Sequence, residues 1–191
     1  MRSLQLVLAS GSPRRRELLT AAGIPFTVRP ASIDETQRPG ETPADYVVRL
    51  AEEKARAAWR PGEATLGADT TVVLDGETLG KPEDEADAAR MMQRLAGRAH
   101  EVLTGYCVFD GERARSGYVT TRVVFGTMAA DEIAAYAASG EPLDKAGGYG
   151  IQGLASKYVE RVEGCYFNVV GLPVSQVYAA LREALRENPA R

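Results

Sequence analysis

Leu4 to Ser10 (LQLVLAS) is an apolar run that gives way at once to SPRRRELLTAAG. The run predicts a buried strand, and the second segment predicts a short helix. Ser12 stands at the cap, Pro13 at the first helical position and Gly23 at the end. A strand feeding directly into a helix recurs along the chain and restricts it to α/β architectures.

PFTVRP reads as a second short strand. Thr42 to Trp59 (TPADYVVRLAEEKARAAW) is the clearest helix, capped by Thr42 and opened by Pro43. Val47, Leu50, Ala51, Lys54, Ala55 and Ala58 recur along it at helical spacing. ATLGADTTVVLDGETLGKP predicts a strand, an Asp75-Gly76 turn and a short return. DEADAARMMQRLAG predicts a helix with Met91, Met92 and Leu95 facing inward. HEVLTGYCVF and RARSGYVTTRVVF flank the turn at Asp110-Gly111 and predict a hairpin. AADEIAAYAASG is a further helix stopped by Gly140. The glycine-rich DKAGGYGIQG precedes a predicted strand SKYVERVEG, and a last helix starts near Pro173. Strands alternating with helices, plus one hairpin, predict a mixed sheet.

At 191 residues the chain is expected to form a single domain, residues 1–191, with room for two lobes. A net charge of -3 argues against a nucleic-acid binder, which needs a broad basic surface. No stretch approaches the roughly 20 apolar residues of a membrane span. Cys107 and Cys165 lack paired-ligand spacing and are read as free thiols in a reducing compartment, so a cytoplasmic location is expected.

Three motifs fail on their context. GETLGKP has too few residues between its glycines for a phosphate-binding P-loop, and Pro82 occupies the place of the magnesium-binding hydroxyl. GYGIQG (Gly148 to Gly153) matches G-x-G-x-x-G by letter but comes after a polar, turn-rich segment instead of a strand. It reads better as a loop that needs close approach or flexibility. The single histidine, His100, excludes a histidine-based zinc cluster and reads as structural at a strand start.

Other features survive. Ser10 to Arg16 joins a strand to a helix whose unpaired N–H groups and dipole favour an anion. Arg14 and Arg15 in the first turn oppose the dipole unless an anion sits there. Asp69, in LGADTTVVL, lies within or at the end of a buried strand, where a carboxylate needs a partner or a cation. Asp34 and Glu35 are adjacent carboxylates in a loop. Lys54 stands on the apolar face of its helix, and Lys81 and Lys145 lie in glycine- or proline-flanked loops. Together these supply metal-binding carboxylates and phosphate-neutralising cations.

LASGSPRRRELL, IDET, LAEEKA, LGADTTV, GKP, LTGY, SGEPLDKAGGYGIQG and VVGLP, in this order over nearly the whole chain, resemble the Maf family of nucleotide pyrophosphatases. The resemblance implies a two-lobed α/β fold, a central mixed sheet flanked by helices, similar to inosine triphosphate pyrophosphatases and with an active-site cleft between the lobes. It implies cleavage of a nucleoside triphosphate at the α–β bond, with magnesium or manganese. Arg14, Thr70 and Gln152 fall with the branch acting on dTTP and UTP. The 7-methyl-GTP branch carries S-P-W-R and G-S-D-Q instead.

On that resemblance Asp69, Glu35, Lys54, Lys81 and Arg15 are the expected catalytic residues. Asp69 accepts a proton from water, and Glu35 and Asp69 hold the metal. Ser10, Ser12, Arg14, Thr70, Gln152 and Lys145 are expected to bind substrate. The Gln152 amide offers both a donor and an acceptor, matching the O4 and N3–H edge of thymine or uracil. The expected partner is a nucleoside triphosphate, with no nucleic acid and no membrane, and a homodimer is compatible with the family. The alternatives are a pyrophosphatase for 7-methyl-GTP or another modified nucleotide, and a nucleotide-binding regulator of septum formation.

Overall fold

The computed structural model describes residues 5–187; the expected strand start at Leu4 lies outside them. In chain order the elements are β1 (Gln5–Leu8), α1 (Pro13–Ala21), β2 (Thr27–Val28), α2 (Pro43–Ala58), β3 (Glu63–Leu74), β4 (Glu77–Leu79) and α3 (Glu85–Leu95). The chain continues through β5 (Ala99–Phe109), β6 (Ala114–Phe125), α4 (Ala130–Ala138), β7 (Val159–Glu163), α5 (Tyr166–Val170) and α6 (Val174–Glu187). The strands lie in one sheet in the order β2-β1-β3-β5-β6-β7, with β4 paired to β3. β1 runs parallel to β2 and β3, whereas β4 is antiparallel to β3 and β7 to β6. The sheet is therefore mixed, as the alternating pattern predicts.

The chain divides into two compact units. The first comprises Met1–Asp69, Thr104–Val119 and Gly171–Arg191; the second comprises Thr70–Leu103 and Thr120–Val170. Strands β3, β5 and β6 supply residues to both.

In the first unit, Ser12 and Thr42 cap α1 and α2 through their side-chain oxygens, each with a proline next in the chain. The buried face of α2 consists of Val47, Leu50, Ala51, Lys54, Ala55 and Ala58, the six positions that the helical spacing picks out. Its backbone lies hard against the sheet. A Cβ on Gly67 of β3 would stand 2.0 Å from the carbonyl oxygen of Ala51, and one on Gly105 of β5 would stand 2.2 Å from that of Val47.

In the second unit, positive φ at Asp75 and Gly76 closes the tight β3–β4 turn. Helix α3 packs on α4, and Ala88, Met92 and Leu95 are its buried residues; Met91 is only half-buried. One expectation changes here, and one element is new. The predicted strand SKYVERVEG begins only at Val159, because Leu154–Tyr158 forms a 3-10 turn. Ala155 and Tyr158, three residues apart, share its buried face, which is the period of that helix and not of a strand. The short α5 was not expected from its sequence. Its buried Asn168 amide anchors it, donating to the carbonyl of Val102 at 2.9 Å and to Thr121 Oγ1 at 3.0 Å.

Candidate active site

In the first unit, Tyr46, Leu50 and Lys54 succeed one another at four-residue spacing, so they share one face of α2. Leu50 is fully buried, and Lys54 runs along the same face to bring its ammonium to β3. Lys54 Nζ stands 2.7 Å from Asp69 Oδ1 and 2.7 Å from Glu35 Oε1. Asp69 lies within the twelve-residue strand β3, its side chain only 13% exposed. A carboxylate so placed needs a cation, and Lys54 supplies it.

Arg15 turns inward from the first turn of α1. Its Nε donates to the carbonyl of Gly171 at 2.8 Å, and its Nη1 to Ser10 Oγ at 3.0 Å and to the carbonyl of Ala68 at 2.9 Å. Burial lowers its pKa, and the negative charge of Asp69 works in the opposite direction. Ser10 Oγ also accepts the N–H of Ser12 at 3.3 Å. Ser10, Ser12 and Arg15 thus form one knot at the β1–α1 junction, while Arg14 is half-buried beside it.

Two residues that hold the Glu35 loop escape sequence reasoning. Tyr46 donates its hydroxyl to the carbonyl of Glu35 at 2.9 Å. Burial raises the phenol to about 12, and the charges of Asp69 and Glu35 add to the rise. Arg49 donates to the carbonyl of Thr36 at 3.0 Å and clasps Glu41 at 2.5 and 2.9 Å. The shared helical face of Tyr46 and Lys54 is the one signal that points to Tyr46.

In the second unit, Thr70 is half-buried and continues β3 beyond Asp69. Lys81 is exposed just past β4, before the buried Pro82. The N–H of Gly147 donates to the carbonyl of Gly80 at 2.9 Å, which ties the glycine-rich segment to the Gly-Lys-Pro segment. Gly147 has φ +68°, and a Cβ there would stand 2.6 Å from Val72. Gln152 is exposed. Lys145 Nζ donates to the carbonyl of Glu141 at 2.7 Å and to Asp144 Oδ1 at 2.6 Å. The structure therefore collects Ser10, Ser12, Arg14, Arg15, Glu35, Lys54 and Asp69 in the first unit. Within the second it joins the segments that carry Lys81, Lys145 and Gln152.

Among the described residues no group of three or more His, Cys, Asp or Glu converges as a metal cage. Asp69 and Glu35 do converge on one cation, Lys54. Two carboxylates are the donor set with which a hard divalent ion binds when phosphate oxygens and water complete its shell. No helix among the described residues is long and apolar enough to cross a membrane.

The family described as Maf-like protein matches residues 5–184. A protein from Citrifermentans bemidjiense named dTTP/UTP pyrophosphatase is 53% identical over 186 residues, 95% of this chain and 96% of its own. One of the same name from Geobacter sulfurreducens is 53% identical over 182 residues, 93% of this chain and 95% of its own. A solved HAM1 protein from Coxiella burnetii shares the fold, with a TM-score of 0.52 at 16% identity over 96% of this chain and 95% of that one. The match along the sequence, the identity to these relatives and the architecture agree: the chain belongs to the Maf family.

Proposed function

We propose that this chain hydrolyses dTTP and UTP between the α- and β-phosphates, giving the nucleoside monophosphate and pyrophosphate and so trimming the nucleotide pool. The observation that carries the reading is the buried lysine that joins two carboxylates, Lys54 with Asp69 and Glu35. The names of relatives 53% identical supply the substrate class.

Asp69 takes a proton from the attacking water. The water oxygen forms a bond to phosphorus as the bridging P–O bond breaks, and the electron pair leaves with pyrophosphate. Lys54 holds Asp69 in one orientation, so its carboxylate does not have to reorganise during the reaction. Arg15 fixes the backbone just before Asp69, and the N–H of Arg14 in the first turn of α1 receives a phosphate oxygen. Asp69 and Glu35 would hold a magnesium or manganese ion, which would supply charge neutralisation at the phosphates. Lys81 adds a further positive charge. Arg14, Thr70 and Gln152 select the base: the Gln152 amide pairs with the O4 and N3–H edge of a uracil ring and, held in that orientation, mismatches cytosine. The free thiols Cys107 and Cys165 suit a reducing cytoplasm. The partner is the triphosphate, and a homodimer is compatible with this reading.

The test is pyrophosphate release with magnesium from dTTP, UTP, CTP, GTP and 7-methyl-GTP, run beside Asp69→Asn. Turnover is expected for dTTP and UTP, falling roughly 10²- to 10⁴-fold in the variant as a general base is lost. Preference for 7-methyl-GTP, or full activity of Asp69→Asn, would overturn the assignment.

A further inference from the structure

A carboxylate braces the segment carrying Gln152. Glu141 opens the 3-10 turn Glu141–Asp144 after α4 and is half-buried. The N–H of Leu154 donates to both of its oxygens, at 3.1 Å to Oε1 and 2.9 Å to Oε2. The hydroxyl of the buried Tyr136 donates to Oε1 at 3.2 Å. Burial and the Glu141 charge both raise the Tyr136 phenol, so it stays a donor.

The neighbouring glycines show how closely this carboxylate is seated. A Cβ on Gly153 would stand 2.2 Å from Glu141 Oε1 and 2.5 Å from Oε2. A Cβ on Gly150 would stand 2.8 Å from Cε of Lys145, whose ammonium is fastened to the Glu141 carbonyl at 2.7 Å. Gly153 N–H donates to the Gly150 carbonyl at 3.0 Å, so Gln152 rides a tight turn with Glu141 under one end and the Lys145 stem under the other. The glycines of this stretch are needed for close approach, not for a dinucleotide.

We propose that Glu141 is a positioning residue for base selection: its carboxylate clamps the Leu154 N–H and thereby sets where Gln152 meets the nucleobase. This rests on Gln152 being the base reader. Glu141 touches no reacting atom, and Lys145 acts with it as a strut under Gly150. A carboxylate that accepts from a main-chain N–H and a phenol holds the loop without reaching the ligand. Loss of the clamp therefore weakens and blurs base recognition more than it slows chemistry.

The experiment compares wild type with Glu141→Gln, Glu141→Ala, Gly153→Ala, the pair Glu141→Ala with Gly153→Ala, Tyr136→Phe and Gln152→Ala. It reads kcat and KM on dTTP, UTP and CTP, and hydrogen exchange of the 148–158 segment. Glu141→Gln keeps the shape but replaces one acceptor with an NH₂ group. It is expected to raise KM for dTTP and UTP about tenfold, the worth of one such hydrogen bond, while kcat holds within about threefold. The UTP-to-CTP preference should fall toward that of Gln152→Ala, and exchange at Leu154 should quicken. Gly153→Ala should reproduce this by displacing the carboxylate. The pair Glu141→Ala with Gly153→Ala should be no worse than either change alone, because the methyl enters vacated space. Should Glu141→Gln fail to fold, Gly153→Ala and Tyr136→Phe carry the test. Wild-type exchange at Leu154 together with wild-type selectivity in the folded variants would overturn the clamp. Unchanged selectivity in Gln152→Ala would instead overturn the base-reader reading, whatever the exchange shows.

Discussion

Arg15 donates to the carbonyl of Ala68 at 2.9 Å, so the residue just before Asp69 is fixed by the helix next after β1. The same guanidinium reaches Ser10 and, through Nε, the carbonyl of Gly171. Lysine carries its three donors on one nitrogen and lacks the fork by which Nε and Nη1 reach acceptors in different directions. A buried carbonyl left without a donor costs about 1–3 kcal/mol. Arg15→Lys should therefore melt several degrees lower. Its kcat on dTTP should fall roughly ten- to hundredfold, with a smaller change in KM, since small displacements near the reacting atoms are costly. Steady-state kinetics and thermal melts check this, and a variant with wild-type kcat would remove Arg15 from the positioning of Asp69.

Glu41 and Arg49 hold the Glu35 loop through a contact with a definite pH signature. The two-point hydrogen bond to Arg49 pulls the Glu41 carboxyl down to about 2. A depressed folded pKa gives stability that is full above the unfolded value, about 4.3, and is lost as pH falls toward the folded one. Glu41→Gln should melt below wild type by a constant margin from about pH 8 to about pH 5.5, and the margin should shrink below about pH 4.5. Melts across that series decide it. A margin undiminished at about pH 3 would show that the pair does not carry this linkage.

The kind of contact decides how far a feature can be read in the sequence. Helix α2 is legible because Thr42-Pro43 marks its start and six buried positions repeat at helical spacing. Lys54 and Asp69 are each legible as charges in apolar places, which demand a partner. Their pairing is not legible, because it depends on how α2 crosses β3. Tyr46, Arg49 and Glu141 bond main-chain groups of loops. Every residue offers the carbonyl and every residue but proline the N–H, so no pattern of side chains records which one will be used.

Gly67 lies within β3, under α2 and two residues before Asp69. A Cβ there would stand 2.0 Å from the Ala51 carbonyl oxygen and 2.7 Å from the Ala55 nitrogen. Backbone cannot swing aside as a side chain can, so Gly67→Ala must lift α2 from the sheet. Overpacking of this kind costs roughly 1–3 kcal/mol. Lys54 rides on the displaced turn and should lose its contact with Asp69. The expected result is a lower denaturation midpoint together with reduced kcat, whereas Gly80→Ala, which meets open space, should leave stability near wild type. Equal stability of the two variants would refute the close approach of α2.

His100 gives the second unit a pH dependence of its own. Its ring packs edge-on against Phe125 and Tyr149, with Nε2 2.7 Å from the Tyr149 hydroxyl. Nδ1 is buried without a hydrogen-bond partner among the described residues. Burial lowers the imidazole to about 4, against about 6.5 in an unfolded chain. Between those values the unfolded chain binds more protons, so stability is full above about 6.5 and is lost as pH falls toward about 4. The difference amounts to roughly 3 kcal/mol over the whole window. His100→Gln loses the aromatic packing and should be less stable at neutral pH, so the informative quantity is the slope. From about pH 7 to about pH 4.5 the wild-type unfolding free energy should fall more steeply than that of the variant. Urea titrations at closely spaced pH values measure both slopes. Parallel lines would mean that His100 takes up its proton in the folded protein as readily as in the unfolded chain.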